Sequence, residues 1–293
     1  MAIPASQLET WGNQGAIATA QSTHLSLRNA LASHAWPSGV AYEDFLQGSY
    51  RNHTNIRGDS DVDLVAQVTS VFWSNLSHEE KLALGHSDSS FTLSEFRLEV
   101  IRALTQYYGT NLVDTSGSKS VKILSASGRL PADLVVAGKY LYYENLRVRA
   151  EGIIFWTVPG GIEIINYPKP HFDNGAEKNS ENRTRGWFKH TVRVFKNARN
   201  RIVQSKPSLE DRFPSYFIEC LLYNVPDTRF GGGEQTNFID VVNWLSQALQ
   251  GPNASSSTTQ SGMQYLFGPA STQWSLPDAQ LLASELTDLW DKW

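Results

Sequence analysis

Residues 47–67 read QGSYRNHTNIRGDSDVDLVAQ, and their interpretation decides the fold. Gly48-Ser49 opens a polar loop, and Asp61-Val62-Asp63 begins the short apolar run DVDLVAQV. That run reads as a buried strand. Side chains alternate along a strand, so Asp61 and Asp63 share one face and Val62 points to the other. The rise per residue puts the two carboxylates about 6–7 Å apart, a spacing that suits shared divalent cations. Buried carboxylates are costly unless a cation pairs with them. Asp-x-Asp alone is a common triplet, and the bland alternative is a turn-ending pair of acids.

The whole stretch is more specific than the triplet. A Gly-Ser turn followed about a dozen residues later by an Asp-x-Asp strand resembles the signature of the nucleotidyltransferase (polymerase-beta-like) superfamily. The resemblance implies that the Gly48-Ser49 amides, with Gln47 beside them, hold a nucleoside triphosphate as an anion nest. It also implies two Mg²⁺ ions on the carboxylates, with Mn²⁺ as a substitute, since both prefer oxygen ligands.

Bulk properties are those of an ordinary globular protein. The chain has 293 residues, 41% hydrophobic and 18% charged, enough for one large or two medium domains. Twenty-five basic and 29 acidic residues give a net charge of −4, so a general polyanion binder is excluded and nucleic acid is not an expected partner. The single cysteine, Cys220, excludes an internal disulfide. With no signal peptide and no bilayer-length apolar run, a cytoplasmic, membrane-free protein is expected.

Other stretches fall into place around the opening one. Residues 5–33 carry apolar residues at helical spacing, and 40–46 read as a strand entering the Gly-Ser turn. Thr92 with Glu95 forms a capping box ahead of a helix to Tyr108. Residues 130–137, LPADLVVA, read as a second strand with Asp133 inside its apolar run. Beside the Asp61 strand it would complete a three-carboxylate site. Residues 140–167 read as an antiparallel meander around a Pro-Gly-Gly turn at 159–161. From Pro168 helical patterns take over. The lobe boundary is therefore expected near 167, giving a catalytic lobe of residues 1–167 with the N-terminal helix and a helical lobe of residues 168–293. The Gly/Ser-rich stretch 251–262 reads as a mobile loop, and 276–293 as a terminal helix capped at Ser275.

One charge asymmetry needs a cause. Between Arg183 and Lys206 there are eight Lys or Arg and no Asp or Glu. Lys189, Arg193 and Lys196 would line one face of a helix, and Phe188, Val192 and Phe195 the face next to it. A solvated basic face is the ordinary explanation. Opposite a metal–triphosphate site, the same face becomes a counterweight to phosphate charge. Pro214 next to Ser215 adds a helix start with free N–H groups.

Taken together, GSYRNHTNIRGDSDVDLV, PADLVVA, NYPKPHFDNGAEKN, FKHTVRVFKNARN, PSYFIECLLYNVP and the Trp-rich terminal helix make the chain similar to the cGAS/DncV-like nucleotidyltransferases (CD-NTases) of CBASS anti-phage systems. More distantly it resembles 2′–5′ oligoadenylate synthetases. The resemblance implies an α+β nucleotidyltransferase lobe with a central mixed sheet, a mainly helical C-terminal lobe and an active site in the cleft. It implies metal binding and catalysis by Asp61, Asp63 and Asp133, and donor contacts from Gly48, Ser49, Lys196 and Ser215. One departure is that the family often has a Pro soon after the third Asp, where this chain reads DLVVAG. The implied activity is synthesis of a cyclic di- or trinucleotide from nucleoside triphosphates such as ATP or GTP. The alternative is a linear 2′–5′ oligonucleotide synthetase activated by double-stranded RNA, which the acidic balance disfavours. Asn166, at a strand end, is a candidate to read a base edge with its amide. His171 is expected to order structure and not to catalyse.

Overall fold

A computed structural model describes residues 2–15, 17–58, 61–87, 89 and 91–293. Ala16 of the expected N-terminal helices, and Asp59 and Ser60 of the polar loop, lie outside the described residues. In chain order the elements are α1 (Ala5–Gly12), α2 (Ala18–Ala32), β1 (Tyr42–Leu46), α3 (Gly48–Asn52), β2 (Val62–Ser74), α4 (His78–Ala83), α5 (Leu93–Tyr108), β3 (Val113–Asp114), β4 (Val121–Ile123), β5 (Ala132–Glu144), β6 (Arg147–Trp156), β7 (Glu163–Asn166), α6 (Pro168–Lys178), α7 (Trp187–Ser205), α8 (Ser215–Tyr223), α9 (Glu234–Ala248) and α10 (Leu276–Asp291). They form two compact units, one of residues 16–51 and 60–169, the other of residues 1–15, 52–59 and 170–293.

The first unit is built on a seven-stranded sheet with the order β1-β2-β5-β4-β3, and β6 and β7 continue from the far half of β5. β2 and β5 run parallel, with Asp63 beside Asp133 and Leu64 beside Leu134. The other strand pairs are antiparallel. Alternation sorts the two long strands cleanly. Val62, Leu64, Ala66, Val68, Leu134 and Val136 pack into a core with Leu27 and Leu31 of α2 and Phe96, Val100 and Leu104 of α5. The opposite face carries a smaller cluster of Val65, Val135, Ala137, Ile153, Phe155 and Ile164. The Thr92–Glu95 capping box starts α5 as the pattern predicts. β5 differs from expectation. The expected strand at 130–137 and the run beginning at 140 join in one 13-residue strand, Ala132–Glu144, because Gly138 leaves room for the Trp73 ring and Lys139 finds an ion pair with Glu151 at 2.9 Å. The turn to β6 uses Asn145 and Leu146, both with φ > 0, the backbone that matches strand twist in a two-residue hairpin.

The second unit is helical. Phe188, Val192 and Phe195 of α7 bury against Phe217 and Leu221 of α8, Phe238 and Val241 of α9, and Leu282 and Leu286 of α10. Residues 2–15 belong to this unit and not to the sheet unit, contrary to the 1–167 division, because Leu8 and Trp11 of α1 need the apolar surface of α7 and α9. Residues 251–262 are not the loose loop their composition suggests. Thr259, Gln260 and Ser261 are buried, Asn224 bonds the backbone of Thr258 at 2.8 and 3.0 Å, and Gln260 donates to the His171 carbonyl at 2.8 Å. The start of α10 also departs from expectation, since the Ser275 side chain makes no capping bond.

Candidate active site

The site grows from the antiparallel pair β1–β2. β1 ends at Leu46, and the Gln47 N–H donates to the Asp63 carbonyl at 2.9 Å. Gly48 follows with φ +65, a left-handed backbone that costs glycine nothing. The Gly-Ser pair is the first turn of α3 and not an open loop. A Cβ at Gly48 would collide with the Asp63 carboxylate, its ideal position falling 2.9 Å from Asp63 Cγ and closer still to Oδ2. Glycine is thus required twice, by φ and by space, and the peptide at 48 lies directly against the Asp63 side chain.

Asp63 is flanked across the sheet by Asp133, its register partner on β5. On the other side of Asp133, β4 sets Lys122 directly opposite. The Lys122 ammonium stands 3.9 Å from an Asp133 oxygen, and Ser120 bonds the same carboxylate. Burial raises the Asp133 pKa, and Lys122 opposes this. The nearby Asp61 raises it further, and the Ser120 bond lowers it. Asp61 is exposed, two residues ahead of Asp63. Asn166 sits on the same sheet face as these carboxylates. The register runs Lys139 to Ile153 to Asn166, and Lys139 is an even number of residues from Asp133. The structure therefore brings Gln47, Gly48, Asp63 and Asp133 together, places Asp61 and Ser49 next to them in the chain, and puts Asn166 on their face, two strands beyond Asp133.

The three carboxylates expected to share a site are related by strand register and chain proximity. Among the described residues no three His, Cys, Asp or Glu side chains converge tightly enough to enclose an ion. The backbone register is that of a shared site, but Asp133 is engaged by Lys122 and Ser120 while Asp63 lies against Gly48. The donor chemistry still fits a hard divalent cation. All the candidate ligands are carboxylate oxygens, and burial, aided by the nearby Asp61, raises the Asp133 pKa despite Lys122 at 3.9 Å, so a cation there would relieve a desolvated carboxylate. Lys122 and Ser120 were missed by sequence reasoning. The one available signal was a lysine inside the β-branched run VKIL.

Lys196 and Ser215 belong to the helical unit. Ser215 is the exposed first residue of α8, with Pro214 as an extended N-cap instead of the first helical position. The expectation of an open basic face on α7 is overturned. Lys196 is 1% exposed, and its Nζ donates to Glu219 at 2.6 Å and to the Thr54 carbonyl at 3.2 Å. Arg193 donates to the carbonyls of Gly12 and His53, at 2.5 and 2.6 Å. Lys189 is buried, and its ammonium stands 5.4 Å from the Phe172 ring centre. Lys196 and Arg193 thus meet acceptors inside this unit, and Lys189 lies over an aromatic ring. Burial pushes the Glu219 carboxyl up, but Lys196 and His171 outweigh it and hold it well below the usual carboxylate range. His171 is buried, with Nε2 3.3 Å from Glu219, in keeping with an ordering role.

Comparison with known proteins points one way. Residues 173–291 match the cGAS/DncV-like nucleotidyltransferase C-terminal helical domain. The chain is 44% identical over 297 residues to the cyclic UMP-AMP synthase of Rhodothermus marinus, covering 100% of this chain and 99% of that protein. It is 34% identical over 309 residues to the cyclic nucleotide synthase CdnE01 of Staphylococcus haemolyticus, with 100% of both chains covered. The structure of the Rhodothermus marinus CdnE c-UMP-AMP synthase with Apcpp and Upnpp superposes with a TM-score of 0.92 over 99% of this chain and 97% of that one.

Proposed function

The chain belongs to the cGAS/DncV-like nucleotidyltransferases, and from that membership we propose that the Gly48 turn and the Asp61, Asp63 and Asp133 carboxylates form its catalytic centre. The protein is a cyclic oligonucleotide synthase that joins nucleoside triphosphates with release of pyrophosphate. We assign it a uridine–adenosine product, by its likeness to the Rhodothermus marinus enzyme, and a signalling role in anti-phage defence, by its family. The observation that carries the site assignment is the Gly48 peptide packed on Asp63, with Asp133 paired beside it.

Asp61, Asp63 and Asp133 would hold Mg²⁺, or Mn²⁺ in its place. The bound cation supplies phosphate charge neutralisation and makes the acceptor ribose hydroxyl more acidic. The turn amides at Gly48 and Ser49 receive the donor triphosphate, and family resemblance assigns a donor contact to Ser215, the exposed first residue of α8. Asp133, held by Lys122 and Ser120, orients the acceptor hydroxyl toward the α-phosphorus. The hydroxyl oxygen bonds to that phosphorus, its proton passes to solvent water, and the bond to pyrophosphate breaks as pyrophosphate departs. A second transfer in the opposite sense closes the ring. Asn166, on the same sheet face, presents an amide to a base edge. The phosphate role expected of Lys196 is not carried forward, since its charge is spent on Glu219.

Purified protein incubated with the four labelled nucleoside triphosphates and Mg²⁺, then with phosphatase, tests the reading. A phosphatase-resistant product containing uridine and adenosine is expected, and Asp61→Ala/Asp63→Ala protein should make none. Undiminished product from that variant would end the site assignment.

A further inference from the structure

A second cleft opens within the sheet unit, away from the carboxylates. Its origin is an irregularity in β2. Val68 pairs with Gly138 and Phe72 with the next residue, Lys139, so residues 69–71 have no counterparts on β5. A bulge of this kind bends its strand and re-aims the side chains that follow. β1 stops pairing at Val68, and residues 70–74 share a cleft of about 970 Å³ with residues of α4 and the start of α5. Trp73 lies beside Tyr140, seven residues along β5 from Asp133. At about 3.3 Å per residue that is about 23 Å from the carboxylates, and the odd number puts Trp73 on the opposite face of the sheet. Three kinds of group line the cleft. Trp73 and Trp156 form an aromatic corner, with ring centres 6.1 Å apart and planes at 63°. Phe72, 38% exposed, carries His86 edge-on at 4.9 Å. Lys81 brings an ammonium with no carboxylate partner among the described residues, and the buried Ser74 Oγ makes no hydrogen bond. No Asp or Glu among the described residues lines the cleft.

We infer that this cleft is a second nucleotide-binding site, which takes a nucleobase against Trp73 and Trp156 and a phosphate on Lys81 without a metal ion. Every base has a flat face, and stacking on indole favours all of them. An ammonium beside an aromatic wall suits a ligand that joins a ring to an anion, through a charge-assisted bond to phosphate oxygen. The Ser74 hydroxyl, which can donate and accept, suits a ribose hydroxyl. The volume lies within the range of small-molecule sites. Packing alone does not account for the arrangement. Core aromatics close on one another, whereas Trp73 and Trp156 stay half-buried beside open space. The chemistry is the inverse of the catalytic centre's. There carboxylates need a cation between them and phosphate; here the protein supplies the cation itself. Two sources carry this ligand chemistry, the substrate triphosphates and the cyclic product.

The test is equilibrium dialysis in excess EDTA with radiolabelled UTP, ATP and the purified cyclic product as probes. The proteins are the parent, Asp61→Ala/Asp63→Ala, Lys81→Glu and Trp156→Leu, each with its melting temperature measured. The parent should bind at least one probe saturably without metal, and Asp61→Ala/Asp63→Ala should bind it with the same midpoint. Lys81→Glu and Trp156→Leu should each weaken that binding about 10-fold or more, through the lost phosphate contact and the lost stacking surface. Lys81 is a helix-surface residue, so Lys81→Glu should melt with the parent and decides the matter even where Trp156→Leu does not fold. Binding of the triphosphates identifies the substrates as the source, and binding of the cyclic product identifies the product. The inference is overturned if no probe binds without metal, or if Lys81→Glu binds at the parent's midpoint. It is overturned equally if Asp61→Ala/Asp63→Ala loses the binding, which would then belong to the catalytic centre.

Discussion

Replacing Gly48 by alanine would test the closest approach in the site. Two penalties act together. The backbone at φ +65 costs an L-residue about 1–2 kcal/mol. The new methyl would also occupy the space of the Asp63 carboxylate, so either the turn or the carboxylate must move. The conformational penalty alone should lower the melting temperature by about 2–8 °C, at roughly 2–4 °C per kcal/mol for a unit of this size. Relief of the collision requires a displacement on the order of 1 Å at a catalytic group, which costs about 10²-fold in rate. The assay is conversion of labelled UTP and ATP to phosphatase-resistant product, beside calorimetric melting. A folded Gly48→Ala protein losing no more than about 2-fold in kcat would refute the argument, because the turn could not then lie on Asp63 as described.

Asp133→Asn should leave triphosphate binding by calorimetry close to the parent's while turnover collapses; normal turnover would move the third carboxylate elsewhere. Excess EDTA should abolish activity, Mg²⁺ or Mn²⁺ should restore it, and Zn²⁺ should not, since the donors are hard oxygens. Removing one partner of a buried pair leaves a bare charge, so Glu219→Gln should destabilise the fold by about 3–5 kcal/mol at pH 7. Because the Glu219 pKa is depressed on folding, its contribution is complete above the unfolded value near 4.5 and is lost as pH falls toward the folded value; unfolding profiles of parent and Glu219→Gln should therefore converge on acidification. Thr92→Ala should cost about 1 kcal/mol by removing the α5 cap, read as a lower denaturant midpoint with activity intact.

What sequence could reveal followed from local rules. Alternation in DVDLVAQV gave the strand and the shared face of its acids, and an aspartate inside LPADLVVA pointed to a partner strand because isolated buried carboxylates are rare. The capping box at Thr92 and the helical stripes of α7 and α10 were legible for the same reason. What stayed hidden were partners set by tertiary proximity. Nothing near Lys196 in the chain announces Glu219, 23 residues on, or Thr54, 142 residues back. Lys189, Arg193 and Lys196 therefore looked like an accessible cationic face. Lys122 was passed over because only the β4–β5 register sets it beside Asp133. The 251–262 segment differs because composition reports polarity and not the hydrogen-bond partners, the Asn224 amide and the His171 carbonyl, that fix it.

The interleaving of the two units also bears on how the chain is made. A ribosome delivers residues 2–15 and 52–59 long before the helices from 170 onward that bury them. The sheet, by contrast, has all its strands once residue 166 has emerged. Nascent chains must therefore carry α1 and residues 52–58 without their permanent partners, leaving Leu8 and Trp11 uncovered until late in synthesis. A gene cut after codon 167 would freeze that interval permanently. Its product would hold every proposed metal ligand, yet residues 52–59, which lead into Asp61, would have nothing to grip.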